Sequence, residues 1–266
     1  MYMGRPAYIE QLNDITFWYP ILERLSRYSK MPDIKMFKDD DGRIESKATY
    51  KDFVLNVPET YLFIAPDEIG EIVDGKDNDA FRRLVQDVDE TRERLGGEAF
   101  LRTGSTSNKH SWNESCHLTA HSRVRKHIAG LIDFSMMVDL PYTTFAVRRM
   151  IDTVAETVAF EGMPIAREIR LFASEGKLIC AHPYWPDEAF KGQPSVTPDQ
   201  IAKLQAMPDM DELTKLSEYV SQQFLGAWSI DFLQDSEGKW WLIDMALAST
   251  SYHWPTCEHK VKFQEG

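Results

Sequence analysis

The chain has 266 residues, of which 42 are acidic and 30 are basic, so its formal net charge is -12 at pH 7. Because a phosphate backbone would repel such a chain, this charge argues against a general nucleic-acid-binding protein. Its 43% hydrophobic and 12% aromatic residues exclude a disordered chain. No apolar run reaches the about 18 residues of a membrane span, and the N-terminus lacks the apolar segment of a secretory signal, which together predict a cytoplasmic protein.

The first half of the chain is predicted to mix helices and strands. Residues 8–29 carry apolar side chains at helical spacing, and Pro20 indicates that the regular helix begins near that point. A strand is predicted over 57–66. The clearest helix follows, with an apolar stripe through 81–95 and two glycines at its end. A short strand, 98–102, then leads into a loop of small polar residues.

The second half adds a helix, a strand and two hairpins. The pattern predicts a helix over 124–138 and a buried strand over 143–151. Hairpins are predicted over 166–185 and 228–247, because each contains a polar, glycine-containing turn between β-rich segments. A helix over about 198–222, interrupted by a proline, lies between them. This order is typical of an α+β fold rather than of a doubly wound parallel sheet.

The three cysteines, Cys116, Cys180 and Cys257, are widely spaced and form no C-x-x-C pair. An odd number of separated cysteines favours reduced thiols over a disulfide framework or a zinc site. Four histidines between residues 110 and 127 lie at intervals of 7, 4 and 6, which matches no standard zinc pattern. They are His110, His117, His121 and His127.

The second predicted hairpin carries two aspartates in its strands. If its turn is 235–238 and the strands pair outward, Asp231 and Asp244 share one face with Trp240 and Leu242, about 7–8 Å apart at the backbone. Two carboxylates among apolar side chains need a proton or a cation between them, and oxygen ligands are typical of magnesium sites. The alternative is a solvent-facing position for both, and a register shift of one residue would separate them.

Several cations could bind a phosphate group. The loop TGSTSNKH offers backbone amides, hydroxyls and Lys109, although it lacks the spacing of a Walker motif and its alternative is an ordinary loop. Arg102, at the end of the preceding strand, could reach the same anion or form a surface ion pair. The planar guanidinium of Arg170 suits paired phosphate oxygens, but a salt bridge with Glu168 is an equal alternative.

The order of these segments resembles the ATP-grasp superfamily. LRTGSTSNKHSW resembles its strand and phosphate loop, and FAVRRMI resembles its hinge strand. REIRLFASEGKLICAHPYW is similar to its E-x-R hairpin, and SIDFLQDSEGKWWLID to its metal-binding hairpin. FWYPILERL, GKLI and GKWWLID further resemble the eukaryotic cell-division-cycle ATP-grasp family that assists assembly of an initiation factor. The arrangement is also similar to phage and bacterial ATP-grasp proteins that resemble amide ligases.

This resemblance implies an α+β, ATP-grasp fold in which two lobes with antiparallel sheets hold a nucleotide between them. Residues 1–95 are then an N-terminal α/β segment that packs on the first lobe. Residues 96–150 form the first lobe with its phosphate loop, and residues 151–266 form the second lobe with its metal-binding hairpin.

The resemblance also implies a set of phosphate-binding residues. Arg102, where the family usually has lysine, takes the position near the α-phosphate. Ser105, Ser107 and Lys109 belong to the phosphate loop, and Lys109 contacts the outer phosphates. Arg170 holds the γ-phosphate or stabilises charge in the transition state, so Lys109 and Arg170 are the candidate catalytic residues.

Adenine and magnesium are assigned to other residues by the same resemblance. The adenine is bordered, mainly through backbone groups, by Arg149, Met150 and Ile151. Asp231 and Asp244 bind Mg²⁺. The family usually ends this hairpin with acid-x-asparagine, whereas this chain has Ala246 at that position, with Ser249 and Ser251 as possible replacements.

The predicted function is that of an ATP- and Mg²⁺-dependent ligase that joins a carboxylate to an amine through an acyl phosphate. The carboxylate and the amine, on a peptide, a protein or a smaller molecule, are not identified by the sequence. One alternative is a nucleotide-binding assembly factor of the same fold without ligase turnover, which the missing asparagine favours. Another is a nucleic-acid ligase or nucleotidyltransferase, which the acidic charge disfavours. Asp244→Asn is predicted to abolish binding of magnesium nucleotide without loss of stability.

Overall fold

Residues 11–38 and 44–260 are described by a computed structural model. In this part of the chain the helices are α1 (Ile15–Ser29), α2 (Asp79–Arg94), α3 (Val124–Met137), α4 (Pro198–Gln205) and α5 (Asp211–Ser221). The strands are β1 (Asp33–Lys38), β2 (Ile44–Thr49), β3 (Thr60–Ile64), β4 (Ala99–Thr103), β5 (His117–Leu118), β6 (Thr144–Arg149), β7 (Thr157–Ala159), β8 (Met163–Ile165), β9 (Glu168–Ser174), β10 (Lys177–Pro183), β11 (Ala227–Gln234) and β12 (Trp240–Leu247). None of these helices has both the length and the apolar composition needed to cross a membrane.

Helix α1 begins earlier than the sequence predicted. The Asp14 carboxylate accepts a hydrogen bond from the Thr16 backbone N–H at 2.9 Å and caps the helix at its first turn. Pro20 lies inside the helix on its exposed side. Trp18 and Leu22 are fully buried on the opposite side. The prediction of a start near Pro20 was therefore wrong, because the cap and the buried face stabilise a helix that continues through the proline.

Two four-stranded antiparallel sheets form the framework. The first sheet has the order β3-β6-β4-β5, and α2 and α3 bury their apolar faces against it. The second sheet has the order β10-β9-β11-β12, and α5 packs on it. Helix α1 also packs on this second sheet rather than on the first, which corrects the expectation that all of 1–95 packs on the first lobe. Its buried aromatic and leucine side chains complete the core beneath β9, β11 and β12.

The metal-binding hairpin of the sequence analysis folds with a different register. A bulge separates the pair Asp231–Asp244 from the pair Phe232–Leu242, so the two aspartates are direct partners rather than diagonal neighbours. The bulge also reverses the alternation of side chains along β12. As a result Trp240 and Leu242 are buried in the core, and not on the face of Asp244 as predicted.

The predicted long helix between the hairpins is divided into α4 and α5, with the interrupting proline between them. Helix α4 starts with a capping box, in which the Thr197 hydroxyl accepts from the Gln200 N–H and the Gln200 side chain accepts from the Thr197 N–H.

Replacing this cap tests whether it stabilises the fold. Thr197→Ala is expected to lower the free energy of unfolding by about 1 kcal/mol, because one backbone N–H of the first turn loses its acceptor. Urea denaturation measures the change. Thr197→Ser keeps a hydroxyl acceptor and should stay within about 0.5 kcal/mol of the unmodified protein. Equal losses in both variants would contradict the role of the cap.

Candidate functional site

The two sheets face each other across a cleft of about 870 Å³ that is open to solvent. Its size is within the range of small-molecule sites. The first sheet and its loops supply most of the positive charge, and the second sheet and the segment 149–153 supply carboxylates and apolar surface. The wall includes Phe100, Arg102, Ser107, Lys109, Trp112, Arg148, Arg149, Met150, Ile151, Met163, Glu168, Tyr184, Trp185, Leu233, Ile243 and Asp244.

Two buried arginines of the first sheet reach across to β12. Arg102 on β4 donates from Nη1 to the Asp244 carboxylate at 2.8 Å. Arg148, on the neighbouring strand β6, donates from Nη1 to the Ile243 carbonyl oxygen at 2.5 Å. Both arginines are 4% exposed. Among the described residues, Nη2 of Arg148 has no hydrogen-bond partner, although it is buried.

The electrostatics at this crossing are unbalanced. Partial burial favours the neutral form of Asp244, but the Arg102 guanidinium outweighs it and holds the pKa of the carboxyl below its usual value. Burial, and then repulsion from Arg102, lower the pKa of Arg148 to about 10. Two guanidinium groups therefore share one carboxylate, and an anion in the cleft would balance the second.

Lys109 lies in an aromatic and acidic enclosure. Its Nζ is 3.9 Å from a carboxylate oxygen of Glu168, at the start of β9. The same atom is 3.8 Å from the ring centre of Tyr184 and 4.6 Å from that of Trp185. Burial is the main cause that raises the pKa of Glu168, and Glu168 in turn is the main group that raises the pKa of Lys109 despite its burial. The enclosure thus keeps the ammonium group charged.

Arg170 and Asp231 form a second buried ion pair beside Lys109. Arg170 donates from Nε and Nη2 to the two carboxylate oxygens of Asp231 at 2.8 and 2.7 Å. In the register of the sheet, Arg170, Asp231 and Asp244 are opposite one another on β9, β11 and β12. Directly paired residues point to the same face. The two aspartates therefore share a face, and an arginine is bonded to each.

The loop after β4 is fixed at its start. The Thr103 hydroxyl accepts hydrogen bonds from the backbone N–H groups of Ser105 and Thr106 at 3.3 and 3.0 Å. A Cβ on Gly104 would lie 2.0 Å from an oxygen of Asp14, so glycine is required where α1 meets this loop. The buried Ser105 hydroxyl has no hydrogen-bond partner among the described residues.

The sequence of the cleft-forming region matches a known family. A sequence model of an ATP-grasp domain, the third family of its clade, matches residues 60–261. The match covers most of the chain, including both sheets. The chain belongs to this family of ATP-grasp domains. Its α+β class and ATP-grasp fold, which the sequence analysis predicted, are confirmed.

Solved structures of other ATP-grasp proteins are also similar. The ATP-grasp ligase PsnB, in complex with its precursor peptide PsnA2 and AMPPNP, is 8% identical, with a TM-score of 0.41 over 90% of this chain and 50% of that one. D-alanyl-alanine synthetase A from Vibrio cholerae is 12% identical, with a TM-score of 0.41 over 88% and 55%. D-cycloserine synthetase DcsG is 13% identical, with a TM-score of 0.40 over 73% and 57%.

The chain spans about half the length of these solved proteins. No curated protein matches it.

Within this ATP-grasp domain, most of the predicted site residues meet in the cleft. Those in its wall are Arg102, Ser107, Lys109, Arg149, Met150, Ile151 and Asp244. In the described part of the chain, Ser105, Arg170 and Asp231 are not in that wall. Arg170 lies just behind it, with its guanidinium carbon 4.6 Å from the ring centre of Tyr184. The side chain of Arg149 binds Glu59 instead of the cleft, at 2.5 Å.

The domain departs from the family pattern at the end of the hairpin. Ala246 is the partner of Ser229 in the sheet, two residues beyond Asp244. The Ser251 hydroxyl, a candidate replacement for the missing asparagine, is 2.6 Å from the Ser229 hydroxyl and donates to the Leu247 carbonyl oxygen. Ser251 therefore occupies this region with a hydroxyl, but its bonds are made within the protein.

Sequence reasoning assigned no site role to Arg148, Tyr184 or Trp185. A signal was present for Arg148, because an arginine next to the buried segment FAV must find a polar partner or a ligand. The two aromatic residues gave no such signal, since their contacts with Lys109 join segments about 75 residues apart along the chain.

Proposed function

We propose that this ATP-grasp domain is an ATP- and Mg²⁺-dependent ligase that joins a carboxylate to an amine through an acyl phosphate. The observation on which the proposal depends most is the pair of buried arginines, Arg102 and Arg148, which share one carboxylate at the wall of the cleft. A triphosphate would supply the missing negative charge, and it would also accept from the unpartnered Nη2 of Arg148.

The remaining groups fit the other parts of the nucleotide. Lys109, held charged in its enclosure, is placed to bind the outer phosphates. Met150 and Ile151 provide apolar surface and backbone groups for the adenine. In this proposal the sheet of 96–150 and the sheet of 151–266 are the two lobes that hold the nucleotide.

The proposed magnesium ligands are Asp231 and Asp244, which share a face of the second sheet. Each is bonded to an arginine in the structure described here, Asp231 to Arg170 and Asp244 to Arg102. Their oxygen atoms suit Mg²⁺, which usually binds one or two carboxylates together with phosphate oxygens. When bound, Mg²⁺ would neutralise charge on the phosphates. The arginines could then exchange carboxylate oxygens for phosphate oxygens.

The reaction needs positioning and charge rather than a protein nucleophile. A substrate carboxylate oxygen attacks the γ-phosphorus of ATP, and ADP leaves with the electrons of the broken P–O bond. An amine then attacks the acyl carbon, phosphate leaves, and the amine nitrogen loses a proton. Arg102, Arg148, Arg170 and Lys109 would bind and orient the phosphates and stabilise the charge that develops on their oxygens.

Lys109→Met tests the phosphate role of the loop. ATP affinity, measured by calorimetry with Mg²⁺, is expected to fall by about 10–100-fold, because a charge-assisted contact of about 1.5–3 kcal/mol is lost. The fold should survive, since Glu168 has a raised pKa and can take up a proton. Lys126→Met, which removes an exposed cation paired with Glu114, is the matched control and should bind ATP normally. Unchanged affinity in Lys109→Met would refute the assignment.

Turnover decides between the ligase and its alternative. Ala246, at the position where the family usually has asparagine, favours a nucleotide-binding assembly factor without ligase activity. Purified protein with Mg²⁺ and ATP is incubated with mixtures of amino acids and peptides, and ADP release is measured together with the mass of new amide products. Amine-dependent ADP release supports the ligase. ATP binding without any ADP release across these mixtures supports the assembly factor.

A further inference from the structure

A second group of chemically active side chains lies on the second sheet. Cys180 and His182 are on β10, and His253 and Cys257 are in the segment that follows β12. One ligand atom from each of the four residues lies within 4.8 Å of every other. Within this group, Sγ of Cys180 and Nε2 of His253 are 3.4 Å apart.

The fold brings these four residues together by simple means. Cys180 and His182 are two residues apart on an edge strand, so they point to the same face. The chain after β12 returns across that face, where the Trp254 indole N–H donates to the Pro183 carbonyl oxygen at 2.9 Å. The His253 ring stacks on Phe172, with ring centres 4.1 Å apart and planes 9° apart. The imidazole and the chain segment are therefore held in place without a metal.

We propose that Cys180, His182, His253 and Cys257 bind one structural Zn²⁺ ion. Two thiolates and two imidazoles are a standard tetrahedral zinc set, in which neighbouring ligand atoms are about 3.4–3.8 Å apart. Separations up to 4.8 Å need only small side-chain rotations to reach this geometry. Binding breaks the two S–H bonds, forms two Zn–S bonds and releases two protons to solvent.

An independent observation also indicates a missing ligand. Among the described residues, Nε2 of His182 is buried and has no hydrogen-bond partner. A buried imidazole nitrogen without a partner is costly, and coordination to a metal would satisfy it. The absence of carboxylates from the set disfavours Mg²⁺ and Ca²⁺, which prefer oxygen ligands. Four protein ligands also leave no open position, so the ion is structural rather than catalytic.

The position of the ion would affect the ATP-grasp cleft. His182 is the direct partner of Arg170 in the sheet. The Tyr252 carbonyl oxygen, next to His253, accepts from Nη1 of Arg170 at 3.4 Å. Zinc would therefore fix the segment after β12 to the edge strand and position a backbone acceptor on Arg170. The metal proposal itself does not depend on the proposed ligase activity.

The first experiment measures metal in the unmodified protein. The full chain, without an affinity tag that binds metal, is purified under reducing conditions, and its zinc content is determined by mass spectrometry. One zinc per chain is expected. Metal-free protein is then titrated with Co²⁺, which should produce the d–d bands of a tetrahedral site and a thiolate-to-cobalt charge-transfer band. A protein that holds no zinc and gives no such spectrum, whether its thiols are reduced or joined in a disulfide, overturns the proposal.

Single variants then locate the site. Cys257→Ser is expected to weaken Co²⁺ binding by about 100-fold or more, since even changes outside the ligand set cost about 10–100-fold. Cys116→Ser is the matched control, because this third cysteine lies outside the cluster and should leave the spectrum unchanged. Circular dichroism checks that both variants fold, and the titration of the unmodified protein decides the matter if one does not. Equal spectra in the two variants would place the metal elsewhere and overturn the assignment.

Discussion

Asp244→Asn is expected to lower the free energy of unfolding by about 2–3 kcal/mol. Asp244 is the carboxylate partner of Arg102, and removing its charge leaves Arg102 and Arg148 buried together without compensation. Breaking a fully buried ion pair costs about 3–5 kcal/mol. The Asp244 side chain is 40% exposed, so solvent reduces the cost. The sequence alone predicted no loss, since it considered only repulsion between the two aspartates.

The pH dependence of this variant provides a sharper measurement. Because the pKa of Asp244 is lowered in the folded protein, its contribution to stability is present above the unfolded pKa of about 3.9 and is lost as the pH falls. Urea denaturation of the two proteins should therefore give a large difference at pH 7 and a smaller one near pH 4. A constant difference across this range would show that Asp244 does not stabilise the fold through its charge.

Binding of nucleotide by the same variant should lose its response to magnesium. ATP affinity is measured by calorimetry with Mg²⁺ and with EDTA, and Asp244→Asn is expected to abolish the increase that Mg²⁺ produces. Glu237→Gln, an exposed carboxylate in the turn of the same hairpin, is the matched control and should keep that increase. Loss of the magnesium response in both variants would contradict the assignment of Asp244 as a ligand.

The predicted elements that proved accurate are those that bury one face. Helix α3 was predicted over 124–138 and spans Val124–Met137, because Ile128, Leu131 and Ile132 are fully buried at helical spacing. The hairpin β9–β10 turns where it was predicted to, at Glu175 and Gly176, which both have positive φ. In these segments the apolar pattern and the turn residues agree, so local sequence is sufficient.

Two hairpins gave no comparable signal. Strands β1 and β2 pair with each other outside the main cores, and Ile34 and Met36 are 65% and 66% exposed. Strands β7 and β8 have three residues each. Neither hairpin has a buried face that would impose an alternating apolar pattern. Their strands are therefore not visible to reasoning from hydrophobic periodicity.

The candidate site could be predicted as a set of residue types but not as a geometry. Arg102 and Asp244 were both selected from the sequence, yet their contact joins residues 142 positions apart. The bulge in the hairpin made Asp231 and Asp244 direct partners, which no turn rule predicted. The four ligands of the proposed zinc site are divided between β10 and the segment after β12, so their spacing resembles no motif. Tertiary structure, rather than sequence order, determines these contacts.

Arg170→Met is expected to have a larger effect on stability than Asp244→Asn. Asp231 is 3% exposed, and its carboxylate accepts both hydrogen bonds from Arg170. Without the guanidinium, a buried negative charge has no partner, which costs about 3–5 kcal/mol. Arg27→Met, which removes an exposed arginine paired with Glu23, is the control and should change stability by less than about 1 kcal/mol. A similar small change in Arg170→Met would mean that the pair is not maintained in solution.

A double variant separates the structural role of Arg170 from its proposed catalytic role. In Arg170→Met/Asp231→Leu both charges are removed, and replacing a buried ion pair with apolar side chains is often neutral or stabilising. Most of the lost unfolding free energy should therefore return. Ligase turnover should not return, because neither the cation for the γ-phosphate nor one of the magnesium ligands is restored, and a loss of at least about 100-fold is expected. If turnover recovers together with stability, Arg170 acts only as a structural partner of Asp231, and the γ-phosphate must be bound by Lys109 and the Arg102–Arg148 pair alone.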